Sequence, residues 1–105
     1  MKIFIIGSTA YRDRIESHAE DMRKKGHEVL TPILDEAKYD HIINVLIENR
    51  RLMRLADEVH MIYDGRSDGT KFDFGMCFAM EKPLRIIYLN DKYLVDGMRE
   101  YSLTR

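Results

Sequence analysis

A glycine-containing loop that leads into an acidic helix start is the segment of this sequence best suited to chemistry. Gly69 and Thr70 open a stretch, residues 70–80, whose pattern predicts a helix. Asp73 lies one turn into that helix. Free N–H groups at a helix start bind anions and sugar oxygens, and glycine lets a ligand approach the backbone closely. The segment therefore predicts a polar ligand site that the Asp73 carboxylate faces.

The same residues also fit a purely structural interpretation. Thr70 and Asp73 have the spacing of a capping box, in which Thr70 caps the helix and the acid returns the hydrogen bond. An acid in the first turn is also stabilised by the positive end of the helix dipole. The two interpretations are compatible, because a carboxylate can be held in place by the turn that it caps.

A second candidate loop follows the first predicted strand and covers residues 7–14. Its small residues come first, and Gly7 and Ser8 leave room for a sugar or a phosphate group. Tyr11 follows, and an aromatic ring in this place can stack on a base. This half of the loop therefore has the composition of a binding segment for a nucleoside or a nucleotide.

Charged residues occupy the second half of that loop. Arg12 or Arg14 can pair with a phosphate group. The alternative is an ordinary helix start with solvated charges, in which Asp13 lies near the positive end of the helix dipole. The glycine spacings of dinucleotide-binding and triphosphate-binding loops are absent, and the four histidines lack the spacing of a metal site. No cofactor and no metal are therefore expected.

Short apolar runs alternate with helical patterns, and this alternation predicts how the two loops are positioned. The predicted strands cover residues 2–6, 27–31, 58–63 and 84–89, and the predicted helices 12–25, 42–56 and 70–80. Gly26 is expected to end the first helix. Such alternation implies a parallel sheet, here of four or five strands, in a single α/β domain over residues 1–105. Since ligands bind outside the carboxyl ends of parallel strands, both loops are expected at one edge.

One predicted helix carries a polar residue on its apolar face. From Ile42 onward, apolar residues recur at the spacing of a single helical stripe, and Asn49 interrupts that stripe at its centre. Asn49 is therefore expected to point inward. It is either a buried amide that ties the helix to nearby backbone or a group that faces a ligand.

Two further reactive side chains are assigned to the core. Cys77, the only cysteine, lies in an apolar run and is interpreted as a buried thiol rather than a nucleophile. His60 lies inside the third predicted strand and is interpreted as a core or sheet-face histidine. Residues 91–105 receive no firm assignment.

The composition restricts the classes of partner. Of the 105 residues, 45% are hydrophobic and 33% are charged, which is typical of a folded domain. The net charge of −1 argues against a protein that holds polymeric nucleic acid through its phosphates. No segment has the length of a signal peptide's apolar region or of a bilayer span, so a cytoplasmic protein without a membrane partner is expected. Since a chain of this size builds a thin core, a homo-oligomer is also expected.

Several of these segments together resemble one family, the nucleoside 2-deoxyribosyltransferase superfamily. Its pattern has an alanine–aspartate pair opening a strand, a glycine–threonine loop, an acid followed two places later by glycine, and a lysine–proline pair. The matching residues here are Ala56-Asp57, Asp64, Gly69-Thr70, Asp73 with Gly75, and Lys82-Pro83. The first loop, with Tyr11, Asp13 and Arg14, is similar to the family's base- and sugar-contacting loop.

The resemblance implies a flavodoxin-like three-layer sandwich and an enzyme that acts on the N-glycosidic bond of a nucleoside or nucleotide. Asp73 takes the position of the family's glutamate, which attacks the anomeric carbon of 2-deoxyribose and forms a covalent glycosyl-enzyme. The sugar then passes to a second base or to water. Asn49 takes the position of a family aspartate, and together with Asp68 it would orient Asp73 or the sugar.

Two departures from the family pattern keep an alternative function open. Asp73 is one methylene shorter than glutamate, and Asn49 cannot exchange protons as an aspartate does. The alternative is a nucleoside- or nucleotide-binding module that has lost the reaction. A third possibility is an interaction protein in which Asp73 serves only as a helix cap.

Overall fold

The strands of the computed structural model form one parallel sheet in the order β2-β1-β3-β4. They are β1 (Lys2–Gly7), β2 (Glu28–Leu30), β3 (Glu58–Tyr63) and β4 (Leu84–Leu89). The structure describes residues 1–31, 41–90 and 95–103. Within these ranges every neighbouring pair of strands is parallel. The predicted parallel α/β sheet is confirmed, with four strands in the described part of the chain.

Four helices accompany the sheet in the described residues. They are α1 (Arg12–Lys24), α2 (Ile42–Leu55), α3 (Asp68–Ala79) and α4 (Val95–Tyr101). A short 3-10 turn, Thr9–Tyr11, leads into α1. No helix in these ranges combines the length and the apolarity that crossing a bilayer requires.

The side chains of β1 alternate between two apolar layers, and this alternation places the helices on both faces of the sheet. Ile3 and Ile5 belong to the cluster that packs under α1. Phe4 and Ile6 belong to the cluster that packs under α2, α3 and α4. The result is the three-layer, flavodoxin-like sandwich that the sequence predicted.

Helices α1 and α3 end in the same hydrogen-bonded motif, which requires a residue in the left-handed conformation. Gly26 takes this place after α1 with φ of 91°, and Glu81 takes it after α3 with φ of 55°. After α3, the Lys82 N–H donates to the carbonyl oxygen of Cys77. The expected role of Gly26 as a terminator is confirmed, and Glu81 performs the same role with a side chain.

Lys82 also holds the end of α2, and this explains part of the lysine–proline pair in structural terms. Its Nζ donates to the carbonyl oxygens of Arg54, at 2.9 Å, and Ala56, at 2.7 Å. These carbonyls belong to the last turn of α2 and its cap, where no intrahelical donor is available. The lysine therefore fastens α2 to the segment between α3 and β4.

The end of the described chain covers the outer edge of β4. Met98 of α4 is fully buried. The hydroxyl of Ser102 accepts the Ile86 N–H, and the Leu103 N–H donates to the carbonyl oxygen of Leu84. These bonds occupy backbone groups of β4 that would otherwise be open to another strand. Within the unassigned segment 91–105, residues 91–94 and 104–105 lie outside the described residues.

Candidate active site

Two loops that are distant in the sequence meet at the carboxyl edge of the sheet. Ser8, directly after β1, donates its hydroxyl to Oδ1 of Asp64, directly after β3, across 2.8 Å. The same Ser8 oxygen lies 3.4 Å from Oγ1 of Thr70 in α3. Ser8 and Thr70 are both buried. The structure therefore brings together Ser8 and Thr70, which the sequence had placed in separate binding loops.

Asp64 organises the loop between β3 and α3. Its Oδ1 also accepts the backbone N–H groups of Arg66 and Ser67, each at 2.9 Å. Burial by itself raises the pKa of this carboxyl, but the hydrogen bonds outweigh burial and hold the pKa below the ordinary value of 3.8. Sequence reasoning included Asp64 only in the family resemblance. The signal for its role is an aspartate at a strand end, which commonly accepts N–H groups two and three residues later.

Ser67 caps α3, so the prediction that Thr70 and Asp73 form a capping box is wrong. The Ser67 hydroxyl accepts the Thr70 N–H across 3.2 Å, and the helix begins at Asp68. Thr70 is therefore the third helical residue and Asp73 the sixth. An acid at the sixth position lies beyond the first turn, so helix capping does not explain why Asp73 is there.

Asp73 is a buried acid with no hydrogen bond or ion pair to the described parts of the chain. Only 8% of its surface is exposed. Burial raises the pKa of the carboxyl to about 7. Asp73 follows Thr70 by three residues, which places both on one face of α3, with Thr70 nearer the edge of the sheet. This carboxyl changes charge near neutral pH and lies one turn below the contact between Ser8 and Thr70.

Asn49 is buried in α2, as the apolar stripe predicted, with 6% of its surface exposed. It precedes the buried Met53 by one turn, and Asp73 precedes the buried Cys77 by one turn. Met53 and Cys77 belong to one core cluster, and α2 packs against α3. Asn49 and Asp73 therefore both lie one turn nearer the helix starts than this shared core.

Gly7 is required by packing at the end of β1. A Cβ atom at this position would lie 2.7 Å from the carbonyl oxygen of Ile62 and 2.8 Å from Cδ1 of Ile15. Both distances are too short for real contacts. Glycine therefore lets β1, β3 and α1 meet directly beneath Ser8, in addition to any role it has toward a ligand.

Asp68 and Gly69 lie on the exposed first turn of α3. Asp68 precedes Asp73 by five residues, which is about 140° around a helix. The Asp68 side chain therefore projects from a different face of α3 than the Asp73 side chain. The structure does not bring Asp68 and Asp73 together in the way that Ser8 and Thr70 meet.

Tyr11 and Arg14 lie together, but they face the opposite side of the sheet. The ring of Tyr11 meets the ring of Tyr88 edge-on, with 5.2 Å between centroids, and packs with the cluster under α1. The Arg14 guanidinium lies 4.0 Å from the centroid of the Tyr88 ring. Asn90 donates an amide hydrogen to the Tyr11 hydroxyl across 3.4 Å.

Sequence reasoning missed Tyr88 because the register of β4 changes within the strand. Ile86 pairs with Met61, but Tyr88 pairs with Ile62, so Ile87 is an extra residue. The extra residue breaks simple alternation and turns Tyr88 toward the α1 face. The alternation of side chains expected for a regular strand gives no indication of such a bulge.

A groove with a volume of about 380 Å³ lies on this α1 face. It is lined by Asp13, Arg14, Ser17, His18, Asp21, Ile62, Ile87 and Tyr88. The charged half of the first predicted loop therefore borders a groove on the opposite side of the sheet from Asp73. Among residues 1–31, 41–90 and 95–103, no group of three or more histidine, cysteine or acidic side chains is placed to hold a metal ion.

The fold and the carboxyl edge of the sheet define an α/β protein of the flavodoxin-like type with a buried acid on the helix after its third strand. Comparison with solved structures supports this fold. A 2-deoxyribosyltransferase from Bacillus psychrosaccharolyticus superposes with a TM-score of 0.78 and 18% identity, over 97% of this chain and 82% of the other. A CMP N-glycosidase from Clostridium botulinum superposes with a TM-score of 0.71 and 21% identity, over 100% and 85% of the two chains.

At these identities the likeness establishes the fold. The chain shares the fold of these two proteins, and the fold that the predicted resemblance implied is confirmed. No protein-family model matches the chain, and no curated protein matches its sequence.

Proposed function

We propose that this protein acts on the N-glycosidic bond of a nucleoside or nucleotide, with Asp73 as the nucleophile. The observation that carries the proposal is the carboxyl of Asp73, which is buried, lacks a partner among the described residues and has a pKa of about 7. The two similar structures support it, since one is of a 2-deoxyribosyltransferase and the other of a CMP N-glycosidase.

The surroundings of Asp73 favour a reactive role over a structural one. Burying a carboxyl group without a hydrogen bond lowers stability, and a structural acid would normally recover this cost through a partner. Strongly shifted pKa values of this kind are concentrated at functional sites, where burial prepares a group for chemistry.

The proposed reaction has two displacement steps at the anomeric carbon. Ionised Asp73 attacks this carbon and forms a glycosyl ester while the bond to the base breaks. The base leaves with the bonding electron pair and takes a proton from solvent. Water or a second base then attacks the same carbon, releases its proton to solvent and restores the Asp73 carboxylate. Two displacements at one carbon retain its configuration.

The remaining residues are assigned roles from their positions. Ser8 and Thr70 place hydroxyl groups one turn above Asp73 and are proposed to contact the sugar. Asn49 makes no hydrogen bond to Asp73 and is proposed to bind a sugar hydroxyl. Asp68 projects from another face of α3 than Asp73. It is therefore proposed to contact the substrate directly at the exposed first turn, beside Gly69.

Tyr11 and Arg14 are proposed to contact the far end of the substrate. They lie near the carboxyl end of β4, on the α1 side. A nucleotide that extends over the edge of the sheet would reach them with its base or its 5′-phosphate. Asp13, which lines the groove with Arg14, is proposed to set the charge at that end.

The direct test is incubation with a panel of deoxyribonucleosides, their 5′-monophosphates and CMP, with and without a second free base. Released base without a new nucleoside indicates hydrolysis, and a new nucleoside indicates transfer. Chromatography separates these products. We expect product from at least one substrate and a loss of at least about a thousandfold in Asp73→Asn, since that amide cannot act as the nucleophile. Asp73→Glu should retain part of the activity because it keeps a carboxylate.

The alternative, a binding module, predicts different results from the same experiment. No substrate would yield product, yet a nucleoside or nucleotide would raise the Tm of the wild type and of Asp73→Asn equally. That result would overturn the proposed reaction. Product formation that survives in Asp73→Asn would overturn the assignment of Asp73 alone.

A further inference from the structure

A chain of four polar side chains crosses the α1 face of the sheet, away from Asp73. Arg85 of β4 forms an ion pair with Glu58 of β3. Oε1 of Glu58 lies 3.2 Å from Nε2 of His60. Nδ1 of His60 lies 2.7 Å from Nε2 of His18 in α1. The chain therefore links β4, β3 and α1 through two imidazole rings.

The positions of the hydrogens in this chain follow from the chemistry of its members. The Glu58 carboxylate, already paired with Arg85, only accepts hydrogen bonds, so His60 must donate from Nε2. A neutral His60 then has a lone pair on Nδ1, and His18 must donate from its own Nε2. Nδ1 of a neutral His18 is left as the basic nitrogen of the pair.

This arrangement can take up one proton without breaking, but not two. The first proton adds to Nδ1 of His18 and leaves both hydrogen bonds in place. A second proton has to add to Nδ1 of His60. Two N–H groups would then point at each other across 2.7 Å, between two positively charged rings, and the contact between the rings would be lost.

We propose that the contact between His18 and His60 is a proton-sensitive latch that holds α1 against β3 and releases it when both rings are charged. The contacts that support this latch do not depend on the proposed glycosidic chemistry. The latch lies close in sequence to the carboxyl edge, because α1 follows the Thr9–Tyr11 turn directly after Ser8. Release of α1 would therefore displace one of the two loops at the carboxyl edge.

The charges around the pair determine the direction of the effect. Helix α1 contributes Asp21, which favours a charged His18, and Lys25, which opposes it. Strand β3 contributes Glu58, which favours a charged His60, and β4 contributes Arg85, which opposes it. Strand β1 contributes only the uncharged Ile5 beside His60.

Burial is the largest influence on each ring and lowers the pKa of both His18 and His60 from 6.5. In the unfolded chain the two rings bind protons with their ordinary pKa, so acid favours the unfolded or released state. The stability of the closed latch is fully present above pH 6.5. It declines as the pH falls below 6.5 toward the lowered values of the folded state.

The first measurement is NMR of the wild type with ¹⁵N-labelled histidine. At pH 7.5 we expect both rings to be neutral with the proton on Nε2, together with a nuclear Overhauser contact between the rings that disappears on acidification. A proton on Nδ1 of His60 at pH 7.5, or independent titration of both rings at their ordinary value, would overturn the latch. This measurement requires no variant.

The second measurement is urea unfolding between pH 7.5 and pH 5 for the wild type, His18→Gln and His41→Gln. Glutamine keeps an N–H donor toward His60 but cannot take a proton, and His41 is an exposed histidine that serves as the matched control. Each proton bound only by the unfolded state lowers the folding constant by up to about tenfold per pH unit. Asp73 contributes with the opposite sign over this pH range, but equally in all three proteins. We therefore expect the wild type and His41→Gln to lose up to about tenfold more of the folding constant per unit fall in pH than His18→Gln. Equal slopes in all three proteins would contradict the proposal.

Discussion

The hydroxyl of Ser8 and the carboxylate of Asp64 join the two loops at the carboxyl edge of the sheet, by a hydrogen bond of 2.8 Å between residues 56 positions apart. The same carboxylate oxygen accepts the N–H groups of Arg66 and Ser67, and Ser67 caps α3. The start of α3 is therefore held in place by β1 and β3 together. The position of Asp73, one turn further along α3, depends on that anchoring.

Removal of the Asp64 carboxylate should destabilise the protein more than removal of an exposed acid. We expect Asp64→Ala to lower the free energy of unfolding by about 2–3 kcal/mol, because three donors lose their acceptor. Urea unfolding at pH 7 measures this loss. Asp57→Ala is the control, since Asp57 accepts one exposed N–H bond, from Lys2, and its loss should be below about 1 kcal/mol. Equal losses would contradict the anchoring role.

The pH dependence of the same variant gives a second, independent check. Because the hydrogen bonds lower the pKa of Asp64 in the folded protein, its contribution is fully present above pH 3.8 and is lost as the pH falls through the folded-state pKa. The difference in stability between the wild type and Asp64→Ala should therefore shrink in acid. A difference that stays constant below pH 3.8 would show that the carboxylate form is not what stabilises the loop.

Asp73→Asn should stabilise the protein at alkaline pH. The pKa of Asp73 is raised from 3.8 to about 7, so the unfolded state loses its proton first and stability falls between these two values. At pH 8 the variant should be more stable than the wild type by up to about 4 kcal/mol, and the gain should vanish near pH 3.8. Thermal unfolding at a series of pH values measures both.

The control for this effect is Glu20→Gln, which removes an exposed acid from α1. It should change stability by less than about 0.5 kcal/mol at either pH. Destabilisation of Asp73→Asn at pH 8 by about 1 kcal/mol would instead support a structural role for the carboxylate.

The proposed nucleophile also predicts the pH dependence of catalysis. Only the ionised form of Asp73 attacks the sugar, so kcat/KM should rise with pH and level off above an apparent pKa near 7. Initial rates between pH 5 and pH 9, on whichever nucleoside or nucleotide is turned over, measure this profile. A value of kcat/KM that falls through pH 7 would assign Asp73 as a proton donor and not as the nucleophile.

The left-handed residues after α1 and α3 form a matched pair for a test of backbone strain. Glu81→Gly should raise the free energy of unfolding by about 0.5–1 kcal/mol, because glycine adopts the φ of 55° without the cost that a side chain brings. Gly26→Ala should lower it by about 1 kcal/mol for the converse reason. Space does not interfere, since a Cβ at Gly26 meets nothing within 4 Å. Changes of the same sign in both variants would contradict this explanation.

Much of the fold was readable from local patterns. The bounds of β3 and β4 agree with the predicted residues 58–63 and 84–89, because continuous apolar runs between polar turns have few other ways to be buried. Asn49 was expected inside because the helical repeat fixes its direction whatever the helix packs against, and it is buried. Cys77 and His60 are buried, as their positions in apolar segments indicated.

The start of α3 could not be decided in this way. Ser67 and Thr70 are both good capping residues, and each is followed by a segment that can be helical. The choice depends on Asp64, which fixes the loop through bonds to Ser8 and to two backbone groups. The spacing of residues in the sequence does not reveal that Ser8, after β1, contacts Asp64, after β3.

The sequence by itself therefore determined the succession of strands and helices along the chain as far as β4, the inward direction of Asn49 and the two loops expected at the carboxyl edge. These follow from local periodicity and the geometry of parallel strands. Only the tertiary structure decided that Asp73 lacks a partner among the described residues, that Tyr11 and Arg14 turn toward Tyr88 on the other face, and that His18 meets His60. Each of these depends on which distant side chains share a small volume, and on the water that they exclude from it. A pKa of about 7 for Asp73 arises from that exclusion and from no property of the aspartate alone.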